Sequence, residues 1–150
     1  MRIDFKMARE GNIMSKSVVS EHQIADPEIA LGHFQKRLSF ETDCWDVYHA
    51  ITTGTQDFVL LDVRSPELFA RGHLPGALNI PHRKLVESNV IEFSRETFFV
   101  VYCAGPHCNG ANKAAVRLAG LGRKVKEMIG GITGWLDENF ELVQEKKVTK

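Results

Sequence analysis

The stretch Phe98-Phe99-Val100-Val101-Tyr102-Cys103-Ala104-Gly105-Pro106-His107-Cys108-Asn109-Gly110 changes character at Cys103. Up to Tyr102 it is a continuous apolar run, as expected of a strand covered on both faces. Beyond Cys103 it is small, polar and turn-forming. Ala111, Ala114, Ala115 and Leu118 then recur on one helix face, with small residues that let the helix lie close to a sheet, and Gly122 ends it. Cys103 therefore occupies a strand-to-helix turn. Unpaired first-turn amides and aligned peptide dipoles favour negative charge there, so the residue reads as a nucleophilic thiolate.

The same alternation extends in both directions. Upstream, Leu38-Ser39-Phe40 reads as a short strand. Cys44, Val47, Tyr48 and Ile51 follow at i, i+3, i+4 and i+7 in a helix closed by Gly54. Phe58 to Leu61 is a second buried strand, Ser65-Pro66-Glu67 opens a brief helix to Arg71, and Ala77 to Ile80 is a short strand ended by Pro81. Downstream, Val125 to Ile129 is a fifth strand, and Gly130-Gly131 turns into a last helix carrying Ile132, Trp135, Leu136 and Phe140. This order predicts an α/β domain over residues 38–143, with a central five-stranded parallel sheet and helices on both faces. Asp26-Pro27 opens a helix over about 27–37 within an N-terminal extension, residues 1–37, whose first 25 residues show no periodicity. Residues 144–150 read as a frayed tail.

Composition narrows the function classes. Hydrophobic residues are 43% and charged residues 25%, and no segment approaches the roughly 18 apolar residues of a membrane span. Lys plus Arg and Asp plus Glu number 19 each, so no overall field draws nucleic acid or an anionic membrane. The N-terminus lacks a signal-peptide apolar core, and three cysteines fit a reducing compartment, so the expected location is cytoplasmic.

Taken together, Leu60-Leu61-Asp62-Val63-Arg64, Gly72 to Pro81, Val101-Tyr102-Cys103 and Gly130-Gly131 with Trp135 resemble the rhodanese-like (sulfurtransferase) domain over roughly residues 38–143. The resemblance implies a single five-stranded domain, with Cys103 at the catalytic position in the loop after the central strand. It also implies a small sulfur donor and a thiol or cyanide acceptor, a partner protein thiol among them, and no cofactor or metal. The loop departs from the family's usual pattern, because Cys108 and Asn109 stand where an arginine and a serine are usual. The loop also reads as about two residues longer.

The residues of the loop suggest particular roles. An ordinary thiol with pKa about 8.5 is only about 3% thiolate at pH 7, and a shift of roughly two units needs about 2.7 kcal/mol. A helix end supplies at most about 2 kcal/mol, so loop amides must contribute. Ala104, Gly105, Pro106, Asn109, Gly110 and Ala111 form the candidate binding loop, with Gly105, Gly110 and Asn109 expected to take the unusual φ values that turn amides inward. Cys108 is either a half-buried loop residue, a thiol that resolves a Cys103 persulfide, or itself the nucleophile. His107 and Lys113 are candidates for proton transfer and donor attraction, against ordinary exposure. Asp62, Arg64 and His73 read as scaffold, with Glu67 as partner for Arg64. Trp135 is either a pocket wall or a core anchor, and Cys44 is a buried inert thiol.

Three other readings remain open. A cysteine phosphatase or arsenate reductase would need an arginine, and none lies between Cys103 and Arg117. A non-catalytic binding or redox-sensing module would leave Cys103 unreactive. A metal site on Cys103, His107 and Cys108 lacks a fourth ligand nearby. The oligomeric state is not legible.

Overall fold

In a computed structural model describing residues 16–145, the apolar run forms β4 (Phe98–Tyr102), the middle strand of a five-stranded sheet. It pairs in parallel with β2 (Val59–Asp62) on one side and β5 (Lys124–Met128) on the other. β3 (Leu78–Asn79) lies outside β2 and β1 (Glu41–Thr42) outside β5, giving the all-parallel order β1-β5-β4-β2-β3. The central strand thus ends one residue before Cys103. Carboxyl ends of neighbouring parallel strands converge there, where ligands bind in open α/β sheets.

Side chains of a strand alternate between its faces, and the core divides accordingly. Val100 and Tyr102 pack with Leu60, Val47, Leu74, Met128 and Trp135 on one face. Phe99, Val101 and Cys103 pack with Leu61, Val63, Ala114 and Leu118 on the other. Burying each large side chain contributes about 1.5–3 kcal/mol, so each strand is held from both sides.

Local chemistry starts the helices where the sequence predicts. Asp43 accepts from the N–H of Asp46 at 2.8 Å and opens α2 (Cys44–Thr52), while Ser65 accepts from Leu68 and precedes Pro66 in α3 (Pro66–Arg71). A short α4 (Glu87–Val90) follows, then α5 (Gly110–Gly120) and α6 (Gly131–Asp137). The expected continuation of α6 to Phe140 is cut short by Asn139 at φ 61°, and Phe140 folds back to stack on Tyr48 with ring centroids 3.8 Å apart.

The chain falls into two units, one ending at Gln35 and one running from Lys36. The helix α1 (Pro27–Phe40) has no buried residue. It runs three residues past the predicted end and takes in Leu38-Ser39-Phe40, the segment expected as a strand. No proline or glycine interrupts the helix after Gly32, and only Glu41–Thr42 reaches register with Glu127 and Met128. Residues 1–15 of the extension and 146–150 of the tail lie outside the described residues. Among the described residues no helix is long and apolar enough to cross a membrane.

At the exit of β2, the fully buried Asp62 receives Arg64 Nη2 at 2.7 Å and Arg64 Nε at 3.0 and 3.1 Å. The same guanidinium donates to the Gly72 carbonyl at 2.6 Å. The expected partner Glu67 is replaced, because the planar guanidinium fits the buried carboxylate two residues back while Glu67 stays exposed on α3. His73 also acts within the scaffold: its Nδ1 lies 2.8 Å from the Phe69 carbonyl, its ring stacks on Phe69, and its backbone bridges Val143.

Candidate active site

The loop 103–109 is shaped from beneath by the start of α6. Ile132 N–H donates to the Cys103 carbonyl at 3.1 Å, Thr133 N–H to the Ala104 carbonyl at 3.0 Å, and Thr133 Oγ1 to that same oxygen at 3.0 Å. Two loop carbonyls are thereby drawn towards α6. Positive φ values occur at Gly130 (91°) and Gly131 (57°), and a Cβ on Gly131 would overlap the Cys103 carbonyl. The Gly-Gly pair is therefore the part of the site that needs glycine's conformational freedom.

Gly105, Asn109 and Gly110 do not take the left-handed φ values expected of them. Both glycines are required by space instead. A Cβ on Gly105 would meet Thr133 Oγ1 at 2.6 Å, and a Cβ on Gly110 would meet Cys103 Sγ at 2.8 Å and Cys108 Sγ at 3.4 Å. The turn Cys108 N–H to Gly105 carbonyl, 3.0 Å, folds the loop back so that the two sulfur atoms share the space above Gly110.

The two thiols sit in unequal surroundings, and their pKa values shift in opposite directions. Burial pushes Cys103 up, and Cys108 as hydrogen-bond partner and Asp62 add to this against the Ala104 N–H, to about 11. Cys108 is also opposed by burial, but the Cys103 thiol, the Gly110 and Ala104 amides and Lys113 outweigh it and pull its pKa down. The shifts run against the expected preference for a Cys103 thiolate, and of the two sulfurs the half-exposed Cys108 is the one whose anion its surroundings favour. The physical reason is depth, since Cys103 is 7% exposed at the base of the loop and a charge there is desolvated.

Both thiols face a cavity of about 1010 Å³. One wall is the loop itself, Cys103 to Asn109 with Ala111 and Asn112, and includes the exposed His107 and Pro106. The opposite wall is Asp43, Cys44 and Trp45 from the start of α2 together with Glu127 to Gly131 and Glu138. Arg37 also lines it and is paired with Glu41 at 3.3 Å. Cys44 is buried as expected, yet it belongs to this wall, with its thiol donating to the Ile129 and Gly131 carbonyls at 3.5 and 3.6 Å.

Several expected neighbours stand outside the cavity. Trp135 is a core anchor: it is 1% exposed, donates Nε1–H to the Glu141 carbonyl at 2.9 Å and meets Tyr48 and Phe140 edge-on. Asp62 and Arg64 tie the exit of β2 to the Gly72 carbonyl, His73 contacts the Phe69 carbonyl, and Lys113 acts on Cys108 through its charge. Sequence reasoning missed Trp45, which is 53% exposed and stacks on His49. The available signal was its place directly after the capped start of α2, off the apolar face of Val47 and Ile51.

A parallel α/β sheet with a cysteine loop at the carboxyl end of its central strand defines the class, and residues 46–138 match the rhodanese-like domain model. The chain belongs to the rhodanese-like family. It is 30% identical over 89 residues to a sulfurtransferase of Allochromatium vinosum, covering 59% of this chain and 81% of that one. It is 35% identical over 79 residues to an HTH-type transcriptional regulator of Mycobacterium tuberculosis, covering 53% of this chain and 34% of the regulator, about a third of that relative's length. A Bacillus halodurans protein of solved crystal structure superposes with a TM-score of 0.77 at 42% identity, covering 79% of this chain and 87% of that one.

Proposed function

We propose that the chain is a sulfurtransferase that carries sulfane sulfur on Cys103, from a small donor such as thiosulfate to a thiol or cyanide acceptor. The observation that carries this reading is the placement of Cys103 at the base of an open cavity, with a second thiol beside it over Gly110. As Cys103 attacks the outer sulfur of thiosulfate, its proton passes to the Cys108 sulfur. The S–S bond of the donor breaks and sulfite leaves with the bonding pair. The outer sulfur remains on Cys103 as a persulfide anion, next to the Ala104 amide. Cyanide or a thiolate then attacks that outer sulfur, and Cys103 leaves as thiolate and recovers its proton from Cys108.

Broad access suits donors and acceptors larger than thiosulfate, a protein thiol among them. The reading includes a reducing, cytoplasmic setting, which the odd number of three cysteines supports. The test is thiocyanate formation from thiosulfate and cyanide by wild type and Cys103→Ser, with intact mass after exposure to the donor. Expected is a persulfide in the wild type and none in Cys103→Ser. Turnover surviving intact in Cys103→Ser would remove Cys103 from the role, and an unreactive wild type would leave a non-catalytic module.

A further inference from the structure

We propose that Cys103 and Cys108 form a working dithiol, through which the chain reduces bound sulfane sulfur to sulfide and itself becomes a disulfide. The inference rests on the sulfur-transfer reading and deepens it. It assigns the fate of the sulfur when no external acceptor takes it.

The geometry is local and specific. Both sulfur atoms lie against one missing methyl group: a Cβ at Gly110 would be 2.8 Å from Cys103 Sγ and 3.4 Å from Cys108 Sγ. The 3.0 Å turn between Gly105 and Cys108 folds the loop back towards Gly110, whose N–H donates to Cys108 Sγ at 3.4 Å. Forming a disulfide of about 2 Å from two sulfurs that flank one point of the loop asks only for adjustment within the loop. Cys44 offers no comparable route, because its thiol is directed to the carbonyls of Ile129 and Gly131.

The chemistry balances without a metal or a further cofactor. After sulfur uptake the loop holds a persulfide anion on Cys103 and a thiol on Cys108. The Cys108 proton passes to the outer persulfide sulfur. The resulting Cys108 thiolate attacks Cys103 Sγ, the Cys103–sulfur bond breaks, and HS⁻ leaves with the bonding pair. The outer sulfur gains two electrons, and the two cysteine sulfurs lose one each in forming their bond. An external dithiol reductant returns the loop to its starting state. Attack from the side opposite the leaving sulfur is the stereochemical demand of thiol–disulfide exchange, and leaving-group stability favours HS⁻ over an alkyl thiolate.

The test uses the full chain, pre-reduced and freed of reductant, with glutathione persulfide as probe and no cyanide. Expected from the wild type is a burst of sulfide stoichiometric with protein, and a product lighter by two hydrogens whose peptide map joins Cys103 to Cys108. Cys108→Ser should instead retain one added sulfur on Cys103 and release sulfide roughly tenfold more slowly or worse. The wild-type measurement stands independently of whether the variant folds. A wild type that holds persulfide on Cys103 with Cys108 still free overturns the dithiol role and leaves sulfur transfer intact. A wild type that takes up no sulfur overturns both.

Discussion

Ile132 donates its backbone N–H to the carbonyl oxygen of Cys103 over 3.1 Å, so the first turn of α6 fixes the backbone of the candidate nucleophile from a segment almost thirty residues away. Gly131 makes this approach attainable. Gly131→Ala should cost about 1–3 kcal/mol for the left-handed backbone alone, with the overlap against Cys103 adding to it. Thermal unfolding should show the loss, and alkylation of the loop thiols should speed up as the loop is released.

The two tryptophans should separate stability from ligand contact. Trp135→Ala should cost about 3–5 kcal/mol in denaturant unfolding, because it empties a fully buried site. Trp45→Ala should change stability by about 0.5 kcal/mol or less, while raising KM for a bulky persulfide donor. An unchanged KM for Trp45→Ala would remove that residue from the binding wall.

Burial first, and the neighbouring Cys108 next, push the pKa of Cys103 up. Cys108→Ala should therefore move the titration of Cys103 downward, which the pH dependence of its iodoacetamide alkylation measures. In wild type the first thiol to react at neutral pH should be Cys108, as peptide mapping after brief labelling would show.

Cys44 gives folding stability a distinct alkaline limb. Burial first, then Asp43, Glu138 and Asp137, raise its pKa from 9.0 to about 11. Between these values the unfolded chain has released the proton and the folded chain retains it. Stability is thus full below about pH 9 and falls as pH rises towards 11, by at most about 2–3 kcal/mol from this group. Unfolding of wild type and Cys44→Ala across that range should show a shallower slope in the variant.

Asp62→Asn leaves Arg64 without its buried counter-charge and should cost about 3–5 kcal/mol. The loss should appear in denaturant midpoints.

What was legible in the sequence was what period and punctuation encode. The run Phe98 to Tyr102, the periodic helix from Cys44, the capped start at Ser65 and the turn at Gly130-Gly131 each depend on residues close in the chain. Leu38-Ser39-Phe40 misled because three residues fit a strand end and a helix end equally well, and the helix begun at Pro27 decided the matter. The loop glycines were read for conformation when they serve space, because the atoms they make room for are Thr133 Oγ1 and two sulfurs whose meeting depends on the folded loop. The opposite pKa shifts of Cys103 and Cys108 were hidden for the same reason: they follow from relative depth and from which amides reach which sulfur.

The central sheet works as a partition, with Cys44 in the core layer on one side and Cys103 in the layer on the other. Only the first of these layers thereby carries a chemical reporter that is separate from the open site. Under native conditions, modification of Cys44 would time the opening of the layer built on Trp135 and Met128, whereas modification of Cys103 reports access to the cavity it faces. A Cys44 rate that matches global unfolding would mean that this layer opens only with the whole sheet, and a faster one that it opens by itself.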